Sequence, residues 1–251
     1  LNIENEKLEF KFIKQNISSK KHPIIFLHEG LGSVDLWKDF PEKMSKKLER
    51  NTIVYSRVGM GKSSSLYKKR EVTFMHTEAN YYLRKLIEHL CENEPILFGH
   101  SDGASIAIIY AGSNMPIKSL IVEAPHVMVE DITITEIKKL YESAKITNVK
   151  EKLKKYHQDA EGAFNEWCKI WLSKSFKKWN IENYIKDIKV PLFAIQGKND
   201  QFGTLNHINL IESKAVSYFE KLLIENCKHS PHLEYPKLII NRTFSFLKNI
   251  K

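Results

Sequence analysis

Ile96-Leu-Phe-Gly-His-Ser-Asp-Gly-Ala-Ser-Ile-Ala-Ile-Ile-Tyr110 is the stretch from which the rest of the chain can be read. A short apolar run leads into Gly99-His100-Ser101-Asp102-Gly103, and a segment apolar nearly all round follows. The order predicts a buried strand, a tight turn and a buried helix. The five central residues follow G-x-S-x-G, a sharp strand-to-helix turn that lifts one hydroxyl out of the protein. At Gly99 and Gly103 a β-carbon is expected to collide with the adjoining helix or strand, and Ser101 is expected in a strained backbone conformation that the packing holds. The start of the helix offers free N–H groups to an oxyanion. Alone, the pattern arises by chance in about one chain in ten of this length; its weight comes from the strand before it and the helix after it.

Toward the N-terminus the same rhythm recurs. Pro23-Ile-Ile-Phe-Leu-His28 and Thr52-Ile-Val-Tyr55 are continuous apolar runs of strand length, which implies strands covered on both faces. Each ends in a glycine-bearing loop, His28-Glu-Gly-Leu-Gly-Ser33 and Arg57-Val-Gly-Met-Gly-Lys-Ser63. Helical spacing is present over residues 35–48 and 76–91, and residues 7–15 alternate as a half-buried strand at a sheet edge. Toward the C-terminus, strands are expected at 117–123, 190–196 and 221–224, with a final amphipathic helix over 236–248. Between 129 and 188 the sequence reads as helical stretches (135–144, 150–156, 163–172 and 181–188) separated by polar breaks. The expectation is a mostly parallel, doubly wound α/β sheet with an all-helical insertion.

The chain has 251 residues, of which 42% are hydrophobic, and a net charge of +9 from 39 Lys and Arg against 30 Asp and Glu. With a mean hydropathy of -0.37, this is the composition of a soluble globular protein. No apolar run reaches the length of a membrane span, and the first residues, Leu1-Asn-Ile-Glu-Asn-Glu, do not resemble a signal peptide. Three cysteines, Cys91, Cys168 and Cys227, include no C-x-x-C pair, so neither a disulfide framework nor a zinc site is indicated. A cytoplasmic location is expected. The lysines are scattered rather than gathered with aromatics, so no nucleic-acid or membrane partner is expected. The second glycine loop lacks the G-x-x-x-x-G-K-[ST] spacing of a phosphate loop.

A serine hydroxyl needs a base, and the base needs a group that fixes its tautomer. Asp200 lies just beyond the strand at 190–196, and His229 just beyond the strand at 221–224, so both sit at strand C-termini, where α/β sheets assemble their sites. The order Ser101, Asp200, His229 is that of a nucleophile-elbow triad. Asp200 could instead cap a turn, with Glu123 as reserve acid. His232 stands beside His229 as a second possible base, and His28 and His100 are expected to brace loops beneath the site. Glu123 could also line a pocket beside His126 or pair with a base. In the insertion, Trp167 and Trp171 share a helical face with Phe164, which suits packing on the core and the roof of an apolar pocket alike.

Taken together, these residues resemble the α/β-hydrolase fold family, and specifically its lidded serine hydrolases, similar to small carboxylesterases, carbon-carbon bond hydrolases and enol-lactonases. The resemblance implies Ser101 as nucleophile, His229 as general base and Asp200 as its orienting acid. It also implies an oxyanion hole from the backbone N–H groups of Gly30 and Asp102, and a pocket drawing on Glu29, His126, Trp167 and Trp171. Trp37, nine residues after His28, and the loop at 57–63 fit the same pattern. Glu29 departs from it by standing where the family has glycine, as does Lys228 before His229. The expected division is a core of 1–126 and 188–251 with a helical lid over 127–187. The expected activity is cofactor-free, metal-free hydrolysis of a small ester, thioester or activated ketone by a monomer or homodimer. Carbon-carbon hydrolysis or lyase chemistry on the same triad, and ligand binding without turnover, remain open.

Overall fold

A computed structural model describes residues 1–15 and 21–250. A two-residue hairpin, β1 (Asn2–Ile3) with β2 (Glu6–Lys7), precedes a seven-stranded sheet of β3 (Phe10–Ile13), β4 (Ile24–Leu27), β5 (Thr52–Tyr55), β6 (Ile96–His100), β7 (Ser119–Glu123), β8 (Leu192–Gly197) and β9 (Phe219–Ile224). The strand order is β3-β5-β4-β6-β7-β8-β9. All neighbours are parallel except the edge pair β3 and β5.

The apolar runs form strands because both faces are covered, and successive side chains divide between two cores. Ile25, Leu27, Leu97, Leu120, Val122 and Ala194 enter one; Ile24, Phe26, Ile96, Phe98, Ile121, Phe193 and Ile195 enter the other. On the second face lie α1 (Phe40–Leu48) and the C-terminal helix, through Phe40, Met44, Ile239 and Phe246. Trp37 joins this layer, with its ring 5.0 Å edge-on to Phe26. On the first face lie the helix preceding β6 and the one following it. The former runs as α2 (Phe74–Thr77), a π-helical segment over Glu78–Leu83 and α3 (Arg84–Leu90); the latter is α4 (Asp102–Gly112), buried on every side.

Between β7 and β8 the chain is helical: α5 (Asp131–Ser143), α6 (Val149–Leu153), α7 (Ala160–Trp171) and α8 (Glu182–Ile185), with a 3-10 turn at Phe176–Lys178. Among the described residues, one isolated bridge, Met128 to Asn180, draws the two ends of this block together. After β8 come α9 (Asn206–Lys214), β9, the short α10 (Pro231–Glu234) and α11 (Pro236–Asn249). The sequence gives little sign of α9, which buries only His207, Ile208 and Ile211. Among the described residues, no helix is long and apolar enough to cross a membrane.

The strand order reverses around β4, which has β5 on one side and β6 on the other. Side chains and ligands meet beyond the carboxyl ends of strands at such a switch point. Register then fixes the neighbours: Leu27 pairs with Gly99, so the loop beginning at His28 leaves the sheet beside the turn that carries Ser101.

Candidate active site

Ser101 links β6 to α4 with φ 53° and ψ −119°, a conformation costly for any residue with a β-carbon. Its N–H donates to the Glu123 carbonyl at 2.9 Å, and its own carbonyl accepts from Ala104 and Ser105, so the turn is held from both sides. The flanking glycines behave as the sequence suggests. A β-carbon on Gly99 would lie 2.4 Å from the Gly103 carbonyl oxygen, and one on Gly103 would lie 2.0 Å from that of Leu27.

The structure brings Ser101, His229 and Asp200 together from three loops. Ser101 Oγ lies 2.9 Å from His229 Nε2, and His229 Nδ1 lies 2.8 Å from Asp200 Oδ2. The Asp200 carboxylate is fixed from its other sides: Oδ1 accepts from the Phe202 N–H at 2.8 Å and Oδ2 from Gln196 Nε2 at 2.7 Å. The Asp200 and His229 loops are joined by the Asn199 N–H, which donates to the Cys227 carbonyl. Burial alone would lower the His229 pKa, but the charge and hydrogen bond of Asp200, helped by Glu29 and Glu123, outweigh it and raise it above the ordinary histidine value.

The other histidines divide into different tasks. His232 Nδ1 is 2.6 Å from Glu123 Oε1, which also accepts the His232 backbone N–H, so the reserve acid and the second base pair with each other and not with Ser101. His100 Nε2 meets the His229 carbonyl oxygen at 2.7 Å and braces that loop from below. His28 Nε2 accepts the Arg57 N–H at 3.1 Å, which leaves its Nδ1 to donate to the Glu29 carbonyl at 2.6 Å. Burial pushes His28, His100 and His126 well below the ordinary histidine pKa, with neighbouring cations adding to the effect.

Arg57 is buried, and its guanidinium donates to the carbonyls of His28 and Glu29, holding the loop that presents Gly30. The Gly30 N–H donates to no group among the described residues. Asp102, first in α4, has an N–H without an intrahelical acceptor. Both are therefore free to serve an oxyanion.

A cavity of about 170 Å³ opens on Ser101 and His229 and is lined by Glu29, Gly30, Asp102, His126, Trp167 and Trp171. All four residues expected in the pocket thus meet in one cavity. Its remaining wall is apolar: Leu31, Ile137, Leu140 and Phe202, with Thr133. The helical block closes over it through specific ties. Trp167 Nε1 donates to Asp102 Oδ2 at 3.0 Å, His157 Nε2 donates to the Leu31 carbonyl at 2.9 Å, and Thr133 Oγ1 donates to the Phe202 carbonyl. Larger clefts lie near Arg70, and Ser101 and His229 line neither of them.

Sequence reasoning missed Gln196, because it ends an apolar strand run, and Arg57, His157 and Phe202, because their partners are distant in the chain. It also missed that His100, Glu123 and His232 offer three ligand atoms within 4.8 Å of one another. The short His232–Glu123 hydrogen bond already occupies two of those atoms.

This geometry can take a proton from a hydroxyl and hold an oxyanion beside a small cavity of mixed apolar and polar lining. Comparison with known proteins agrees with the architecture. The profile of the alpha/beta hydrolase fold matches residues 22–143. A proline iminopeptidase of Lactobacillus acidophilus is 34% identical over 108 residues, which are 42% of this chain and 36% of the relative, so the chain matches about a third of that relative's length. Among solved structures, MGS-M2, an alpha/beta hydrolase enzyme from a Medee basin deep-sea metagenome library, superposes with a TM-score of 0.77 at 20% identity, covering 99% of this chain and 97% of the other. The esterase EaEST from Exiguobacterium antarcticum gives a TM-score of 0.74 at 16% identity over 97% and 96% of the two chains. The topology, the strained serine turn and the profile match have one reading in common: this chain has the alpha/beta hydrolase fold.

Proposed function

We propose that the protein is a serine hydrolase that cleaves a small carboxylic ester, thioester or related carbonyl substrate through an acyl-enzyme. The observation that carries this reading is the hydrogen-bonded chain from Ser101 Oγ through His229 to the Asp200 carboxylate. As His229 Nε2 takes the hydroxyl proton, Ser101 Oγ bonds to the substrate carbonyl carbon. The carbonyl oxygen becomes an oxyanion held by the N–H groups of Gly30 and Asp102. Collapse breaks the bond to the leaving group, which takes the proton from His229. Water then gives a proton to His229 and attacks the acyl-enzyme, and the acid departs as Ser101 recovers its proton. Asp200 stays charged throughout.

In this reading, residues 1–126 and 188–251 are the core, and 127–187 are a lid whose tryptophans roof the acyl pocket. The three free cysteines suit a reducing, cytoplasmic compartment. The test is initial-rate hydrolysis of p-nitrophenyl esters from acetate to octanoate, with Ser101→Ala and His229→Ala alongside. Activity that falls by about 10³-fold or more in both variants supports the triad; equal activity in the variants rejects it. The proline iminopeptidase activity named for the Lactobacillus relative is a second reading. It is favoured by the carboxylates beside the nucleophile, Glu29 and Asp102.

A further inference from the structure

The cavity wall holds a buried histidine that the hydrolytic reaction itself does not use. His126 is 2% exposed and lines the cavity beside Ser101 and His229. Its Nδ1 is buried with no hydrogen-bond partner, and its Nε2 bonds to none of the described residues. The other buried histidines behave differently: His28, His100, His157, His207 and His232 each make a hydrogen bond through a ring nitrogen. A buried imidazole without a partner is costly, and its place in the cavity marks it as a group that a ligand would complete.

The ring is held in place without being satisfied. The His126 carbonyl accepts the Ser105 hydroxyl at 2.6 Å, and the next N–H, that of Val127, donates to His207 Nδ1 at 3.3 Å. Trp171 and His207 pack edge-on to the imidazole with ring centroids at 5.3 Å, and the His229 ring lies at 5.9 Å. A group bonded to His126 therefore sits within a few bonds of a carbonyl attacked by Ser101. Two polar groups of the same cavity are already engaged: the Thr133 hydroxyl donates to the Phe202 carbonyl, and Trp167 Nε1 to Asp102. Burial, with His207 and His229 adding to it, holds the His126 pKa well below the ordinary histidine value. The ring is thus neutral, with one N–H donor and one lone pair. A hydroxyl both donates and accepts, so it satisfies either tautomer; a carboxylate only accepts and fits one, and a methyl group fits neither.

We propose that His126 binds a neutral hydroxyl of the substrate, placed a few bonds from the scissile carbonyl, so that the enzyme takes small hydroxylated esters in preference to their aliphatic isosteres. The proposal rests on the serine-hydrolase reading and names its substrate class. Leu31, Ile137, Leu140 and Phe202 then hold the carbon chain that carries the hydroxyl.

The test measures kcat/KM for two isosteric pairs of esters in the parent, His126→Phe and His126→Asn, each shown to be folded by circular dichroism. Ethyl β-hydroxybutyrate against ethyl isovalerate places the hydroxyl on the acyl group. Ethylene glycol monobutyrate against propyl butyrate places it on the leaving alcohol. The expected result is a preference of roughly ten- to a hundred-fold for the hydroxylated member of at least one pair, the range set by leaving a buried polar group unpaired. The pair that discriminates identifies the part of the substrate that reaches His126. His126→Phe should lose or reverse the preference, and His126→Asn, which keeps a donor and an acceptor, should retain part of it. A parent that treats both pairs alike, or a preference that survives His126→Phe, overturns the proposal. Where the parent hydrolyses none of the four, calorimetric titration of the Ser101→Ala protein with the same esters decides. Tighter binding of a hydroxylated ester that disappears when His126→Phe is added sustains the subsite even as the hydrolase reading fails. Equal binding within both pairs, or none, rejects it.

Discussion

Trp167 stands where a β-carbon on residue 30 would have to be: an ideal Cβ built on Gly30 lies 2.1 Å from Trp167 Nε1 and 2.3 Å from Cε2. The helix α7 that covers the cavity therefore rests directly on the backbone of the loop with the free Gly30 N–H. The same Nε1 donates to the side chain of Asp102, on the other side of Ser101. One indole thus ties the helical block to both candidate oxyanion donors.

Gly30→Ala should displace that indole. The expected cost is about 1–3 kcal/mol in stability from overpacking, together with a loss of activity larger than this destabilisation explains. Combining it with Trp167→Leu should cost less than the sum of the two single changes, because the leucine vacates the contested space. Chemical denaturation and kcat/KM of the single and double variants check this, and strict additivity would contradict it.

The raised pKa of His229 sets the acid limb of the pH profile. A base works only when neutral, so kcat/KM should rise with pH through a midpoint above the ordinary histidine value of about 6.5. Burial lowers the His229 pKa and the Asp200 charge and hydrogen bond raise it, so Asp200→Asn should move the midpoint below the parent's while lowering the rate. His100 and His126, pushed well below the ordinary value, stay neutral across this range and add no limb. A parent midpoint at or below 6.5 would show that Asp200 is not the dominant partner.

Gln196 Nε2 donates to Asp200 Oδ2 at 2.7 Å and to the Gly203 carbonyl at 3.3 Å, which fixes the carboxylate that orients His229. Gln196→Leu removes one hydrogen bond to a charged group, worth about 1.5–3 kcal/mol. The expected loss is roughly ten- to a hundred-fold in kcat with little change in KM, read from Michaelis curves; an effect on KM alone would place Gln196 outside the chemistry.

Glu78 lies 4% exposed in the π-helical segment, and burial raises its pKa to about 7 against the opposing pull of Arg57 and Arg70. A carboxyl with a raised folded-state pKa binds its proton more tightly when folded, so stability falls as pH rises from the unfolded value, about 4.5, toward 7. Relative to Glu78→Gln, the parent should lose up to about 3 kcal/mol over that window. Denaturation midpoints of both proteins across the window check the sign; a constant difference would mean that Glu78 does not titrate there.

Much of this was legible in the residues, for identifiable physical reasons. Strands β4, β6, β7 and β8 are buried on both faces, so their apolar runs are continuous and bounded by glycine or polar loops. Ser101, Asp200 and His229 each follow a strand, and parallel strands bring such positions to one edge. The helix expected over 76–91 begins at Phe74 and includes a π-helical segment over Glu78–Leu83 that packs on α4, which side-chain periodicity does not signal. The hairpin β1–β2 is too short for periodicity to register. The pairing of Glu123 with His232 spans 109 residues, and no spacing rule reaches across that distance. The cavity was the least legible part, since its shape depends on where α5 and α7 dock.

The most direct test of the central claim is to trap the acyl-enzyme. The protein is mixed with p-nitrophenyl acetate, quenched in acid within the first turnovers, and digested for mass spectrometry. An acetyl group on the Ser101 peptide, accompanied by a stoichiometric burst of p-nitrophenol and absent in Ser101→Ala, is the result this account predicts. Hydrolysis that proceeds without a burst and persists undiminished in Ser101→Ala would contradict it.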